Sequence, residues 1–222
     1  MSVISMFSPK GGVGKTTTAL VLGTVFAKQG YDVVMIDADP NGSLSQWDNA
    51  GELANLRIVK EYDEEEIMSV ILDNHKPNSI VIVDLDGRAS TRATHAMLHS
   101  DLVLIPFGGS MLDAELAFKA KKMVSNVGAA RGRELEYRGI LTKAPASVNF
   151  YSRELISVLR ILKALPFPML QTHVAERQAY RALFSFGGSL DTLSPKEVPS
   201  LDQAKQNANR LGLEIIDILS GE

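Results

Sequence analysis

Continuous apolar runs alternate with amphipathic stretches along this chain. Residues 3–7 (Val-Ile-Ser-Met-Phe), 31–36, 79–84 and 102–106 are apolar at nearly every position. Such runs mark strands buried on both faces, as in a parallel sheet. Shorter runs at 56–60, 137–142 and 168–171 predict further strands. Helical spacing predicts helices over 15–29, 63–74, 112–127, 151–162 and 200–219, the first stopped by Gly30 and the acidic run 63–66 placed at a helix start. The last helix carries a stripe of Leu201, Ala204, Ala208, Leu211, Ile215 and Ile218, with Ser200 and Gln203 as a capping box. Strands separated by helices predict one α/β unit spanning residues 1–222, a mostly parallel twisted sheet of about seven strands covered on both faces. Ligands bind such sheets beyond the carboxyl ends of the strands.

The chemistry is concentrated at those ends. Lys10-Gly11-Gly12-Val13-Gly14-Lys15-Thr16-Thr17 lies between the first strand and the first helix. Its glycines let the backbone wrap an anion with N–H groups pointing inward, and the helix start adds a positive dipole end. Lys15 stands where a P-loop lysine reaches the β- and γ-phosphates, and Thr16 where a hydroxyl holds Mg²⁺. The ordinary motif, G-x-x-x-x-G-K-[ST], has glycine where this chain has Pro9, and it has no place for Lys10. A second lysine in an anion site repels the first unless it meets an anion of its own.

The stretch K-G-G-V-G-K-T-T resembles the deviant Walker A motif of the ParA/MinD family of P-loop ATPases. In that family the first lysine, matching Lys10, reaches across a nucleotide-sandwich dimer to the neighbour's phosphates. Further segments carry the resemblance along nearly the whole chain. Asp37-Ala38-Asp39-Pro40-Asn41-Gly42-Ser43 is similar to D-x-D-P-Q-G-S, with Asn41 in place of glutamine. Residues 80–84 resemble Walker B, 101–106 resemble A-D-x-V-L-I-P, and 139–143 resemble G-x-L-T-N.

The resemblance implies ATP and Mg²⁺ as cofactors and slow basal hydrolysis. Catalysis falls to Lys10, Lys15 and Asp39. Nucleotide binding falls to Lys10, Gly11, Gly12, Val13, Gly14, Lys15, Thr16 and Thr17, with Thr142, Lys143 and Val174 beside the adenine. Thr16, Asp39 and Asp84 are the expected metal-site residues, and Asp37 assists from behind. Arg177 stands near the base or a partner subunit. One departure stands out: Asp84-Leu85-Asp86-Gly87-Arg88 replaces the family's proline-containing switch, with Arg88 expected to pair with Asp86.

Composition narrows the biological reading. A net charge of −3 gives no global attraction to nucleic acid or membrane, so DNA contact requires a local patch. Candidates are Lys119, Lys121, Lys122, Arg131, Arg133, Arg138, Arg153, Arg160, Lys163, Lys205 and Arg210. The absence of cysteine removes thiolate metal sites and sets the chain apart from the iron–sulfur branch of the family. His95 and His99 read as packing or surface residues. Acids at the end of the last helix argue against a membrane-surface helix. No leader or membrane span is visible, so a cytoplasmic protein is expected.

The implied cycle is that of a short ParA protein. ATP closes a homodimer, the dimer binds DNA without sequence preference, and a ParB-like or cargo-adaptor protein triggers hydrolysis. Residues 176–182 also resemble VirC-type proteins, which recruit DNA-transfer complexes. A metabolite-phosphorylating synthetase and a nucleotide-gated scaffold with little hydrolysis are the readings of other classes.

Overall fold

Odd and even positions of the central strands enter different cores. On β1 (Ser2–Met6), Ile4 and Met6 pack on one side of the sheet, and Val3 and the following Phe7 on the other. The first side is covered by α1 (Lys15–Lys28), α6 (Gln178–Phe186) and α7 (Leu201–Ser220). The second is covered by α2 (Ile67–Asn74), α3 (Thr91–Leu98), α4 (Met111–Ala130) and α5 (Arg153–Lys163). The remaining strands are β2 (Asp32–Ala38), β3 (Leu56–Lys60), β4 (Ser79–Leu85), β5 (Leu102–Phe107), β6 (Glu136–Ala144) and β7 (Val174–Ala175). This computed structural model describes residues 2–47, 49 and 51–221.

All seven strands are parallel, in the order β3-β2-β4-β1-β5-β6-β7. The expected α/β architecture is therefore present, with helices on both faces. β1 is central, paired with β4 from Ser2↔Ile80 to Met6↔Asp84 and with β5 at Ile4↔Leu102. That register sets Asp84 level with the start of the glycine loop. Among the described residues no helix is long and apolar enough to cross a membrane.

Several expectations are corrected. The outer strand is not 168–171, which contributes one bridge, Gly139↔Met169; the paired strand is β7. Pro168 has no N–H to give a ladder, and Glu214 takes the N–H groups of Gln171 and Thr172 instead. Residues 63–66 form a turn in which Asp63 accepts from Glu65 and Glu66, and the helix itself starts at Ile67. Ser200 does not cap α7, because it sits in the left-handed region at φ 56 without a side-chain cap bond. A capping box does form at α4, between Ser110 and Asp113. Helices α3 and α6 were not predicted; α3 buries a charged residue, Arg92, which breaks its apolar stripe.

Candidate nucleotide site

The glycine loop leaves β1 at its carboxyl end, where the Phe7 N–H donates to Leu104. Gly12 and Gly14 take φ values of 67 and 103, a region that side chains disfavour. A methyl group on Gly11 or Gly12 would meet nothing within 4 Å, so the loop faces open space. Gly14 ends the loop as the N-cap of α1 with no side chain closing it. The first N–H groups of α1 are thus left for an incoming anion.

Two charges wait beneath this cradle. Lys15 is 7% exposed, and its Nζ donates weakly to the Ser8 and Lys10 carbonyls, both at 3.4 Å. Burial lowers its pKa, against the opposing pull of Asp84, Asp39 and Asp86. Asp84 is 1% exposed; the Thr16 hydroxyl lies near it, but neither carboxylate oxygen makes a hydrogen bond of full geometry. Burial raises its pKa to about 7, opposed by the Thr16 hydroxyl and the Lys15 charge and assisted by Asp37 and Asp39. A buried carboxylate without a well-formed hydrogen bond and a buried amine on long bonds are costly alone, and both are relieved by a cation and a phosphate. The residues present therefore fit a nucleotide with Mg²⁺.

The two acids of the D-x-D-P element divide their work. Asp37 is fully buried and accepts from the backbone of Ser45 at 2.7 Å and Asp39 at 3.3 Å, so it shapes the turn. Asp39 accepts from Asn41 at 2.9 Å and lines a cleft of about 680 Å³ with Lys15, Thr16, Thr17, Asp86 and Arg88. Arg88 is exposed, and Asp86 pairs instead with Arg92, 3.2 Å away.

Lys10 behaves unlike Lys15. Its Nζ lies 2.6 Å from Asp113 Oδ1, with side chains 40% and 6% exposed. It is absent from the lining of the cleft its loop encloses. Burial works to raise the Asp113 pKa, but hydrogen bonds from Lys10 and Ser110 outweigh it and hold the carboxyl below its ordinary value. Sequence reading missed Asp113, although Ser110-x-x-Asp113 before an apolar helix is a capping signal.

Thr142, Lys143 and Val174 all line a small pocket of about 110 Å³ that also touches Gly14 and Thr17. Thr142 turns its hydroxyl to the Val13 carbonyl at 2.6 Å and the Phe107 carbonyl at 3.0 Å, which anchors the glycine loop to β6. Arg177, Tyr180 and Arg181 complete this pocket. A larger hollow of about 1180 Å³ lies along the outer side of β6, lined by Tyr137 and Phe167 but by no residue of the glycine loop; we place the chemistry in the smaller cleft, which holds the charges. Among the described residues no histidine or acidic cluster forms a ready metal cage; His95 bonds the Glu64 carbonyl.

Residues 4–214 match the family described as the CobQ/CobB/MinD/ParA nucleotide binding domain. The chain is 34% identical over 221 residues to Protein ParA of Rhizobium radiobacter, covering 99% of this chain and 98% of that protein. It is 25% identical over 228 residues to Protein virC1 of the same organism, covering 99% and 96%. In fold it is similar to apo McdA of Cyanothece, with a TM-score of 0.77 at 16% identity over 96% of this chain and 99% of that one. With a glycine cradle, a buried lysine and a buried carboxylate at the ends of a parallel sheet, this chain belongs to the ParA/MinD-type P-loop ATPases of the CobQ/CobB/MinD/ParA nucleotide-binding family.

Proposed function

We propose that this protein is a ParA-type ATPase that dimerises on ATP, binds DNA without sequence preference and positions a plasmid or other cargo. The observation that carries the reading is the division between the two lysines. Lys15 is buried under its own loop, whereas Lys10 points away to Asp113 on α4. A lysine held off its own phosphate cradle suits contact with a second subunit's nucleotide.

ATP supplies the phosphoanhydride bond that water cleaves to give ADP and phosphate, and Mg²⁺ spreads the charge that develops. Within the chain, the N–H groups of residues 11–17 and the Lys15 ammonium hold the phosphates. Thr16 and Asp84 hold the cation and its water shell, and Asp39 orients the attacking water. Relatives with nucleotide support this assignment: the McdA variant of Cyanothece is described with ATP, and MinD of Pyrococcus horikoshii with Mg-ADP.

The DNA surface falls on α4 and α5. Arg131 donates to the Leu98 and Ser100 carbonyls, Lys121 to Pro166, Arg138 pairs with Glu136, and Lys205 with Asp191, so these have internal roles. Lys119, Lys122, Arg153, Arg160 and Lys163 are exposed on two neighbouring helices and are the residues this reading assigns to the DNA contact. Full-length likeness to virC1 favours one second reading, recruitment of a DNA-transfer complex.

The test is DNA binding at stated salt with no nucleotide, ADP, or ATP and Mg²⁺, with molecular mass measured in parallel. ATP-dependent dimers that bind DNA are expected. ATP-dependent dimers that ignore DNA would move the function to protein recruitment, and a protein that binds no nucleotide would end the ATPase reading.

A further inference from the structure

Two residues past Asp84, just beyond the end of β4, the chain carries another carboxylate, Asp86. It is 6% exposed and lines the cleft beside Lys15, Thr16 and Asp39. Its Oδ2 meets Arg92 Nη2 at 3.2 Å, while its Oδ1 is buried without a hydrogen-bond partner.

Arg92 is itself buried, on the first turn of α3. It also donates from Nη1 to the Tyr62 carbonyl. The Tyr62 hydroxyl in turn lies against Gly42, close enough that a methyl there would approach it to 3.3 Å. One guanidinium thus ties the loop after β4 to the loop after β3.

A purely structural brace would use both carboxylate oxygens in the two-pronged pairing that arginine favours. Here one oxygen is spared. A spared, buried acceptor at a cleft wall is completed by a donor that arrives with the ligand. A phosphate oxygen has no proton to give and is repelled by the carboxylate; water has two.

Resting on the ATPase reading above, we propose that Asp86 is a positioning residue for hydrolysis, its Oδ1 accepting a hydrogen bond from the attacking water while Arg92 fixes the carboxylate. In the step it serves, the water oxygen bonds to the γ-phosphorus and the bond to the β–γ bridging oxygen breaks. The water's proton leaves on the phosphate product. Asp86 acts together with Asp39, which lines the same cleft, and Arg92 holds the Asp86 loop against the loop after β3.

The experiment uses the full chain with Mg²⁺. It measures binding of ADP alone, binding of ADP with aluminium fluoride as a mimic of the phosphoryl in transfer, and steady-state kcat and KM. Asp86→Asn is expected to leave ADP affinity within about twofold, to weaken the aluminium fluoride complex about tenfold, and to lower kcat about tenfold with KM little changed. Arg92→Lys keeps the charge but loses the fork, so it should fall between wild type and Asp86→Asn. Asp86→Asn alone strands a buried cation, so the double variant Asp86→Asn/Arg92→Gln, which removes both charges, supplies a second test, with its thermal melt as the check on folding. Unchanged aluminium fluoride affinity and kcat in that folded variant would overturn the proposal. Equal losses of ADP and aluminium fluoride binding would overturn it too, by showing a role in holding the loop. A wild-type protein that binds ADP but hydrolyses no ATP would remove the proposal while leaving nucleotide binding intact.

Discussion

The floor of the cleft is fixed by the central strands β1 and β4 and the loops that leave them, whereas the small pocket near Lys143 is assembled from three margins. Lys15 and Asp84 sit under backbone that β1, β4 and β5 hold in register. The pocket near Lys143 gathers the end of β6, a two-residue strand and the start of α6. Preset charge in a low-dielectric floor gives affinity that is lost wholesale when one member is removed. A margin built from short pieces can be altered with small, graded effects. Thr142 is the joint between them, since it belongs to β6 but bonds the carbonyl of Val13.

Substitutions across that joint test the contrast. Lys15→Ala should lower ATP affinity by about 100-fold or more, measured by equilibrium binding of a fluorescent nucleotide, because the phosphate loses its buried counterion. Asp84→Asn should stabilise the nucleotide-free protein by up to about 4 kcal/mol at pH 8 in urea unfolding. The sign follows from Asp84, whose pKa is raised from 3.8 to about 7 by folding. The folded chain holds this proton more tightly than the unfolded one, so the apoprotein loses stability as pH rises from about 4 to about 7. Below that window the variant and wild type should melt alike.

Lys10→Ala should keep ATP binding within about threefold yet weaken the ATP-bound dimer about tenfold, as read by sedimentation. A monomeric variant with normal turnover would rule out contact across subunits. Thr142→Val removes the bond to Val13 and should cost a few-fold in affinity for ATP and ADP equally. Lys143→Ala should change ATP affinity by less than about twofold, with any effect confined to the preference for ATP over GTP. A large loss there would erase the distinction between the two ends.

The phosphate end was legible because its requirements are local. Glycines at φ 67 and 103, a lysine and a hydroxyl follow one another in sequence, and the apolar runs of β1, β4 and β5 are unmistakable. The outer margin was not. β7 is two residues long and carries no periodicity, so the apolar run 168–171 drew the prediction to itself. α3 hides its period behind buried Arg92, whose partners Asp86 and Tyr62 are brought to it only by tertiary structure. The Lys10–Asp113 pair spans about a hundred residues of sequence and leaves no spacing rule to find.

The place of β1 between β4 and β5 also governs when the protein acquires its ligand during synthesis. Ile4 finds its neighbours at Ile82 and Leu102, so the glycine loop has no frame until β5 has left the ribosome. At ordinary elongation rates, about 5–20 residues per second, that is a wait on the order of 5–20 s. Nascent chains arrested before β5 should therefore be blind to ATP, and nucleotide present during translation would stabilise only chains in which β5 is already free to pair with β1.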